Sequence, residues 1–148
     1  MINNFIEYTC KVLHIKPPII SYDESNFPTA SMKAYYDSAR KTIFLRNFES
    51  LNPDILFAVA HEIRHIWQLK TNEKFYFANY KQNSKDSLED YNLQIAEIDA
   101  HAFAALLMMN NFGIKPLFNG LSDTVKSKID ERIIYLQKTE FKKGFPKL

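Results

Sequence analysis

Apolar residues change their spacing several times along the chain, and each change marks an element. Ile2, Phe5, Ile6, Thr9, Val12 and Leu13 recur at steps of three and four, which predicts a helix over residues 2–14 that Pro17-Pro18 stops. Ile19-Ile20-Ser21-Tyr22 reads as a short strand. After a looser segment holding Asn26 and Pro28, the runs SMKAYY (31–36) and KTIFL (41–45) read as a hairpin. Its connection, Asp37-Ser38-Ala39-Arg40, lacks the Asn-Gly signature of a tight turn. Three strands are therefore expected, all before residue 47.

The rest of the pattern is helical. Asn52-Pro53-Asp54 offers a capping side chain, a proline for the first turn and an acid at the positive end of the helix dipole. That helix is expected to run through Leu69 and fade at Thr71-Asn72. Residues 71–86 are polar with Phe75, Tyr76, Phe77 and Tyr80 interleaved, the pattern of an excursion or a short helix. A second long helix is expected from near Ser87 to Asn110-Asn111-Phe112, with Gly113 as a left-handed cap, and a third from Ser122 to Thr139. No repeat or linker interrupts the series. The expectation is a single α+β domain over 1–148, a small N-terminal sheet with a helix followed by three further helices.

The helix that starts at Pro53 carries HEIRHIWQ (61–68), and its His-Glu-x-x-His spacing raises the question of a metal. At roughly 100° per residue, His61 and His65 fall about 40° apart on one face. Leu56, Val59, Ile63, Ile66 and Trp67 lie on the opposite face, yet Ala58, His61, His65 and Leu69 are uncharged too. A helix covered on both sides is implied, with the histidines beneath a second element. The next helix, containing QIAEIDAHAFA (94–104), fits that role. Glu97 and His101 share a face with Leu93, Ala104 and Met108, and the small Ala100 and Ala104 permit close approach. Two histidines and one glutamate make the open tetrahedral set of a catalytic zinc. Asp99 is the rival carboxylate, but it points about 160° from Glu97. It shares its face with Asn92, Phe103 and Asn110, which reads as half-wet, so Glu97 is the preferred ligand. The bare motif arises by chance in roughly one chain of this length in a few hundred.

Composition sharpens this by exclusion. The 148 residues, 46% hydrophobic and 24% charged, suffice to bury a core. A net charge of +2 with both signs interspersed lacks the basic stripe of a nucleic-acid binder. The basic tail KTEFKKGFPKL reads as a solvated, frayed terminus. The lone Cys10 excludes an internal disulfide and a Cys-rich zinc site, and fits a small buried residue on the first helix. MINNFIEYTCKVL is interrupted by Glu7 and other polar residues, so it lacks a signal-peptide core, and no apolar run approaches membrane-spanning length. A cytoplasmic protein with neither nucleic acid nor membrane as partner is expected.

HEIRH followed by Glu97-x-x-Ala100-His101-x-Phe103 resembles the gluzincin metallopeptidases, whose second motif is typically Glu-x-x-Ala-Asp. The small size, the early strands and the Glu-x-acid-Ala-x-x-Phe-Ala run look most like minigluzincins and the ImmA/IrrE-like family, proteins often found with phage, mobile elements or stress regulators. The resemblance spans residues 35–108, and only the two motifs in it are sharp. It implies a compact zincin-like fold with one zinc ion held by His61, His65 and Glu97. It further implies Glu62 as the residue that handles the proton, and a peptide or protein substrate such as a regulator. The chain departs from the pattern at His101, where the family commonly has Asp, Glu or Asn to orient the first zinc histidine. A neutral imidazole can accept one hydrogen bond in that role, or turn to the metal itself.

Several neighbours have expected roles. Tyr76, Tyr80 and Tyr91 are the candidates for donating a hydrogen bond to a transition state. Arg64 and Gln68, beside the histidines on the helix, suggest a surface or structural pairing; Trp67 suggests core, and His14 a helix end. KTIFL, expected nearest the motif helix, is a candidate edge for substrate binding by strand addition. The expected chemistry is metal-assisted hydrolysis of a peptide bond, in which zinc acidifies water and polarises the carbonyl while Glu62 moves the proton to the leaving amine. The alternative is a zinc-retaining, non-proteolytic regulator or a latent protease, with a mainly structural metal. A metal-free helical binding protein requires both motifs to be accidental.

Overall fold

Asn52 starts the longest helix as its sequence predicts. Its backbone is extended at φ −133° and ψ 162°, and its side-chain oxygen accepts from Ile55 N at 3.1 Å. The computed structural model describes residues 1–46, 52–82 and 87–148. In chain order the elements are α1 (Ile2–Val12), β1 (Ile19–Ser21), a short 3-10 turn (Glu24–Asn26), β2 (Ala34–Asp37) and β3 (Thr42–Leu45). They continue with α2 (Pro53–Phe77), α3 (Leu88–Asn92), α4 (Ile95–Phe112) and α5 (Asp123–Lys138). The α+β layout is the expected one. Among the described residues, no helix is long and apolar enough to cross a membrane.

The sheet has the order β1-β3-β2, with β1 parallel and β2 antiparallel to β3. KTIFL, expected at an edge, is therefore the central strand. Its run of apolar residues is the pattern of a strand buried on both faces, and every position of β3 is buried. The edge that meets the motif helix is β2 instead. The hairpin loop holds four residues between the pair Asp37 and Thr42, which explains the missing Asn-Gly. Asp37 Oδ1 accepts from Arg40 N at 3.1 Å, and Lys41 supplies the left-handed residue at φ 52°.

Two helices differ in extent from the sequence expectation. α2 does not end at Thr71-Asn72; it breaks there, with Asn72 at φ −157° and ψ 66°, and resumes to Phe77. Asn72 Oδ1 accepts from Phe75 N at 3.4 Å, so the residue that stops one segment caps the next. Residues 83–86 of the expected 71–86 excursion lie outside the described residues. The second long helix is two: α3, capped by Ser87, and α4, entered through an extended Gln94. Leu93, expected on the Glu97 face, sits in this break. Gln94 also accepts from Lys81 N at 2.7 Å and donates to Lys81 O at 3.0 Å, tying the segment after α2 to the start of α4. Gly113 takes the left-handed cap at φ 66°, and Ser122 caps α5, both as expected.

α4 occupies the centre of the core, with twelve of its eighteen residues buried, between α2 on one side and α5 on the other. Helices covered this fully show little amphipathic periodicity, which is why the wheel placed Asp99, Asn92 and Phe103 on a half-wet face. Of that face, Asp99 and Phe103 are wholly buried and Asn92 is buried, while Asn110 near the end of α4 is exposed. The tail is not frayed either. Phe141 and Phe145 stack with centroids 4.5 Å apart and both pack on Phe103, and Tyr8 donates its hydroxyl proton to Pro146 O at 2.7 Å. Its lysines dominate the composition, but its two phenylalanines decide where it lies.

Candidate metal centre

His61, Glu62 and His65 face one side of α2, where α4 comes close because Ala96, Ala100 and Ala104 leave no side chain to hold it away; all three alanines are buried. His61 Nε2 and His65 Nε2 lie 3.0 Å apart. Glu97 Oε2 is 3.1 Å from His61 Nε2, and Glu97 Oε1 is 3.1 Å from His65 Nε2. The two imidazole nitrogens and the carboxylate, groups of the types that bind zinc, thus lie in mutual contact, each histidine meeting a different carboxylate oxygen. Tetrahedral zinc with bonds of about 2.0–2.1 Å sets neighbouring donors about 3.3 Å apart, so the set is within a few tenths of an ångström of that spacing.

Protonation gives a second test of fit. His65 Nδ1 is 2.8 Å from Gln68 Oε1, an acceptor, so Nδ1 carries a proton. In the neutral ring Nε2 then presents a lone pair to a carboxylate oxygen, an arrangement that calls for a cation between them. With a proton as that cation, burial pulls the His65 pKa down, but the Glu97 carboxylate overrides it and holds the ring up at about 9. Burial likewise works to raise the Glu97 carboxyl, yet the two histidines hold it well below the usual carboxylate range. The centre attracts positive charge by construction.

His101 stands over His61, with ring centroids 4.5 Å apart and planes at 80°. Among the described hydrogen bonds, its own runs from Nδ1 to Glu97 O at 2.8 Å, one turn back on its helix. A carbonyl only accepts, so Nδ1 is the protonated nitrogen and Nε2 keeps its lone pair. Burial, helped by the charge of His61, lowers the ring to about 4, which keeps it neutral. Phe57 and Phe118 flank it at 6.0 and 5.9 Å. His61, Glu97 and His101 each offer a ligand atom within 4.8 Å of the others, close enough to hold a metal ion. The contacts that join His65 to His61 and to Glu97 are shorter, at 3.0 and 3.1 Å.

Glu62 opens toward a cleft of about 390 Å³. Its Oε2 accepts from Tyr36 N at 3.1 Å, so the strand edge β2 holds the carboxylate that α2 supplies. Burial raises its carboxyl above the ordinary range, against the pull of His65 and His61. Tyr36 N–H can reach it because it points away from β3: hydrogen-bonded pairing falls on the alternate residues, as the Arg46 N to Lys33 O bond of 3.2 Å shows.

The three tyrosines separate. Tyr80 and Tyr91 line the cleft and both donate to Glu97 Oε1, at 2.6 and 3.0 Å, with their hydroxyls 2.9 Å apart. Burial, with the Glu97 charge beside them, raises both phenols. Tyr76 lies elsewhere: its hydroxyl accepts from Arg132 Nη2 at 3.2 Å and its ring meets Trp67.

Asp99 is turned away from the centre, as its angle from Glu97 required, into a buried cluster. Arg64 donates to it at 2.7 and 3.3 Å, Arg132 Nε at 2.8 Å and Gln68 Nε2 at 2.8 Å. Arg64 in turn holds Glu140 through both terminal nitrogens at 2.7 Å and lies 3.6 Å over the Trp67 ring. Structural pairing was the expected role of Arg64 and Gln68, but neither is at the surface: both are wholly buried. Sequence reasoning missed the contact between Gln68 and His65, although a three-residue step on a helix makes the two neighbours. It also missed Tyr36, whose backbone carries no residue signal. No protein family, no curated protein and no solved structure matched the chain.

Proposed function

We propose that the protein is a zinc-dependent metallopeptidase of gluzincin type, with His61, His65 and Glu97 as metal ligands and Glu62 as general base and acid. The observation that carries the reading is the cluster of two Nε2 atoms and the two Glu97 carboxylate oxygens, in contact at 3.0–3.1 Å, with Glu62 lining the cleft beside it. When bound there, zinc supplies Lewis acidity, acidifying water and polarising a scissile carbonyl. Glu62 takes the proton and delivers it to the leaving amine, and its raised carboxyl pKa suits both duties. Tyr80 and Tyr91 hold Glu97 Oε1, leaving Oε2 to face His61. The β2 edge, not KTIFL, receives the peptide as an added strand, through the outward backbone groups of Ala34 and the carbonyl of Tyr36, whose N–H is kept by Glu62.

His101 supports a second reading. As a further nitrogen within 4.8 Å of the His61 and Glu97 ligand atoms, it could fill the position a substrate needs, making a zinc-retaining regulator without proteolysis. Metal analysis of the purified protein, paired with cleavage of a candidate protein by wild type and Glu62→Gln, separates the two. Stoichiometric zinc with cleavage that Glu62→Gln abolishes supports the peptidase. Zinc in both proteins with cleavage in neither favours the regulator. No stoichiometric metal removes both.

A further inference from the structure

The metal-centre reading leaves unexplained why the core beside it is ionic. Arg64 and Asp99 are wholly buried, and buried ion pairs often stabilise no more than apolar residues of the same volume. Stability is thus a weak reason for the cluster, whereas orientation is a specific one. The place where it touches the metal centre is Gln68.

The Gln68 amide has one possible orientation. Its Nε2 lies 2.8 Å from Asp99 Oδ2 and 3.0 Å from Ala96 O. A carboxylate and a carbonyl can only accept, so the nitrogen must face both and its two protons are fully used. Oε1 is then forced toward His65 Nδ1, 2.8 Å away. An oxygen there requires a proton on Nδ1, which leaves Nε2, the atom facing His61 and Glu97, with its lone pair free for a cation. Each step follows from what the partner can donate or accept. Every group that meets the Asp99 oxygens in the described hydrogen bonds is a donor, Arg64 and Arg132 besides Gln68, so Asp99 acts there as an acceptor. Arg132 belongs to α5 and Glu140 follows it, so the C-terminal helix reaches the metal through Asp99 and Gln68.

We propose that Gln68 is a positioning residue that locks His65 in the Nδ1-protonated tautomer, and that Asp99, held by Arg64 and Arg132, fixes the Gln68 amide for that purpose. This rests on His65 being a metal ligand. Partners of this kind, which hold the far nitrogen of a ligating histidine, typically carry a 10–100-fold effect on metal affinity.

Two measurements test it. In the zinc-loaded wild type, long-range proton–nitrogen correlation should place the His65 proton on Nδ1, protected from solvent exchange. In Gln68→Met, which keeps the volume but loses both amide functions, zinc affinity by chelator competition should fall about 10–100-fold, with the His65 Nδ1 proton exchanging freely. Gln68→Glu should fail similarly, because its second oxygen faces Asp99 and Ala96 O. Adding Asp99→Asn to it restores a donor opposite that oxygen and should recover part of the affinity. A wild-type His65 protonated on Nε2, or unchanged zinc affinity in Gln68→Met, overturns the proposal while leaving the metal centre standing. Absence of zinc binding by wild type overturns both. Should Gln68→Met fail to fold, protection of the wild-type Nδ1 proton from exchange decides alone: free exchange overturns the proposal.

Discussion

Removing Asp99 tests whether the ionic cluster is a structural keystone or a bystander. Asp99→Ala leaves Arg64 fully buried with Glu140 as its remaining carboxylate, and takes from Arg132 and Gln68 a partner each. Breaking a buried pair by deleting one member costs about 3–5 kcal/mol. The retained contact with Glu140, itself about a third exposed, puts the expectation at the lower end, about 3 kcal/mol. For a chain of 148 residues that is a fall of about 6–12 °C in Tm. Thermal and urea unfolding followed by far-UV circular dichroism, in chelator so that metal does not mask the loss, reads it directly. Glu131→Ala is the internal comparison: it removes an exposed pair with Lys128 and should cost under about 0.5 kcal/mol. The pH dependence has a defined sign. Burial acts to raise the Asp99 carboxyl, but Arg64 and its other donors depress it below its unfolded value of about 3.9. Its contribution is therefore present above about pH 4 and lost as pH falls through the folded pKa, so wild type and Asp99→Ala should converge in acid. If Asp99→Ala costs no more than Glu131→Ala, the account of the cluster is refuted.

Other outcomes follow from the same geometry. Glu97→Ala should lower zinc affinity far more than Asp99→Ala by isothermal titration; the reverse order would overturn the ligand assignment. In the metal-free protein, the raised His65 pKa gives stability that is full below about pH 6.5 and lost as pH rises through about 9. The depressed His101 pKa acts oppositely, removing stability as pH falls from about 6.5 toward 4. Tm against pH in chelator should accordingly peak near neutrality, and excess zinc should flatten the alkaline side; a monotonic profile contradicts this. Tyr36→Pro removes the N–H that holds Glu62 but no ladder bond, so it should fold and lose cleavage, whereas Ile43→Pro in the central strand should lose the fold by circular dichroism. Gly113→Ala should destabilise by about 1–2 kcal/mol from its left-handed backbone alone, since no atom lies within 4 Å of the added methyl.

Local signals determined what the sequence could determine. Caps at Asn52 and Ser122, the stop at Gly113 and the three short apolar runs act within a few residues, so element type and order were legible. The i,i+4 spacing of His61 and His65, and the opposed directions of Glu97 and Asp99, are properties of a helix and survive any packing. What the tertiary structure decided involves partners far apart in the chain. Whether Asp99 meets water or Arg64 depends on how α4 sits between α2 and α5. Which strand is the edge depends on β1 pairing with β3 across the hairpin, and the tail docks because Phe103 is there to receive it. The orientation of His65 depends most on this long-range packing. Its helix aims the ring, but the proton on Nδ1 is fixed by an amide whose own direction is set by a carboxylate 31 residues further on.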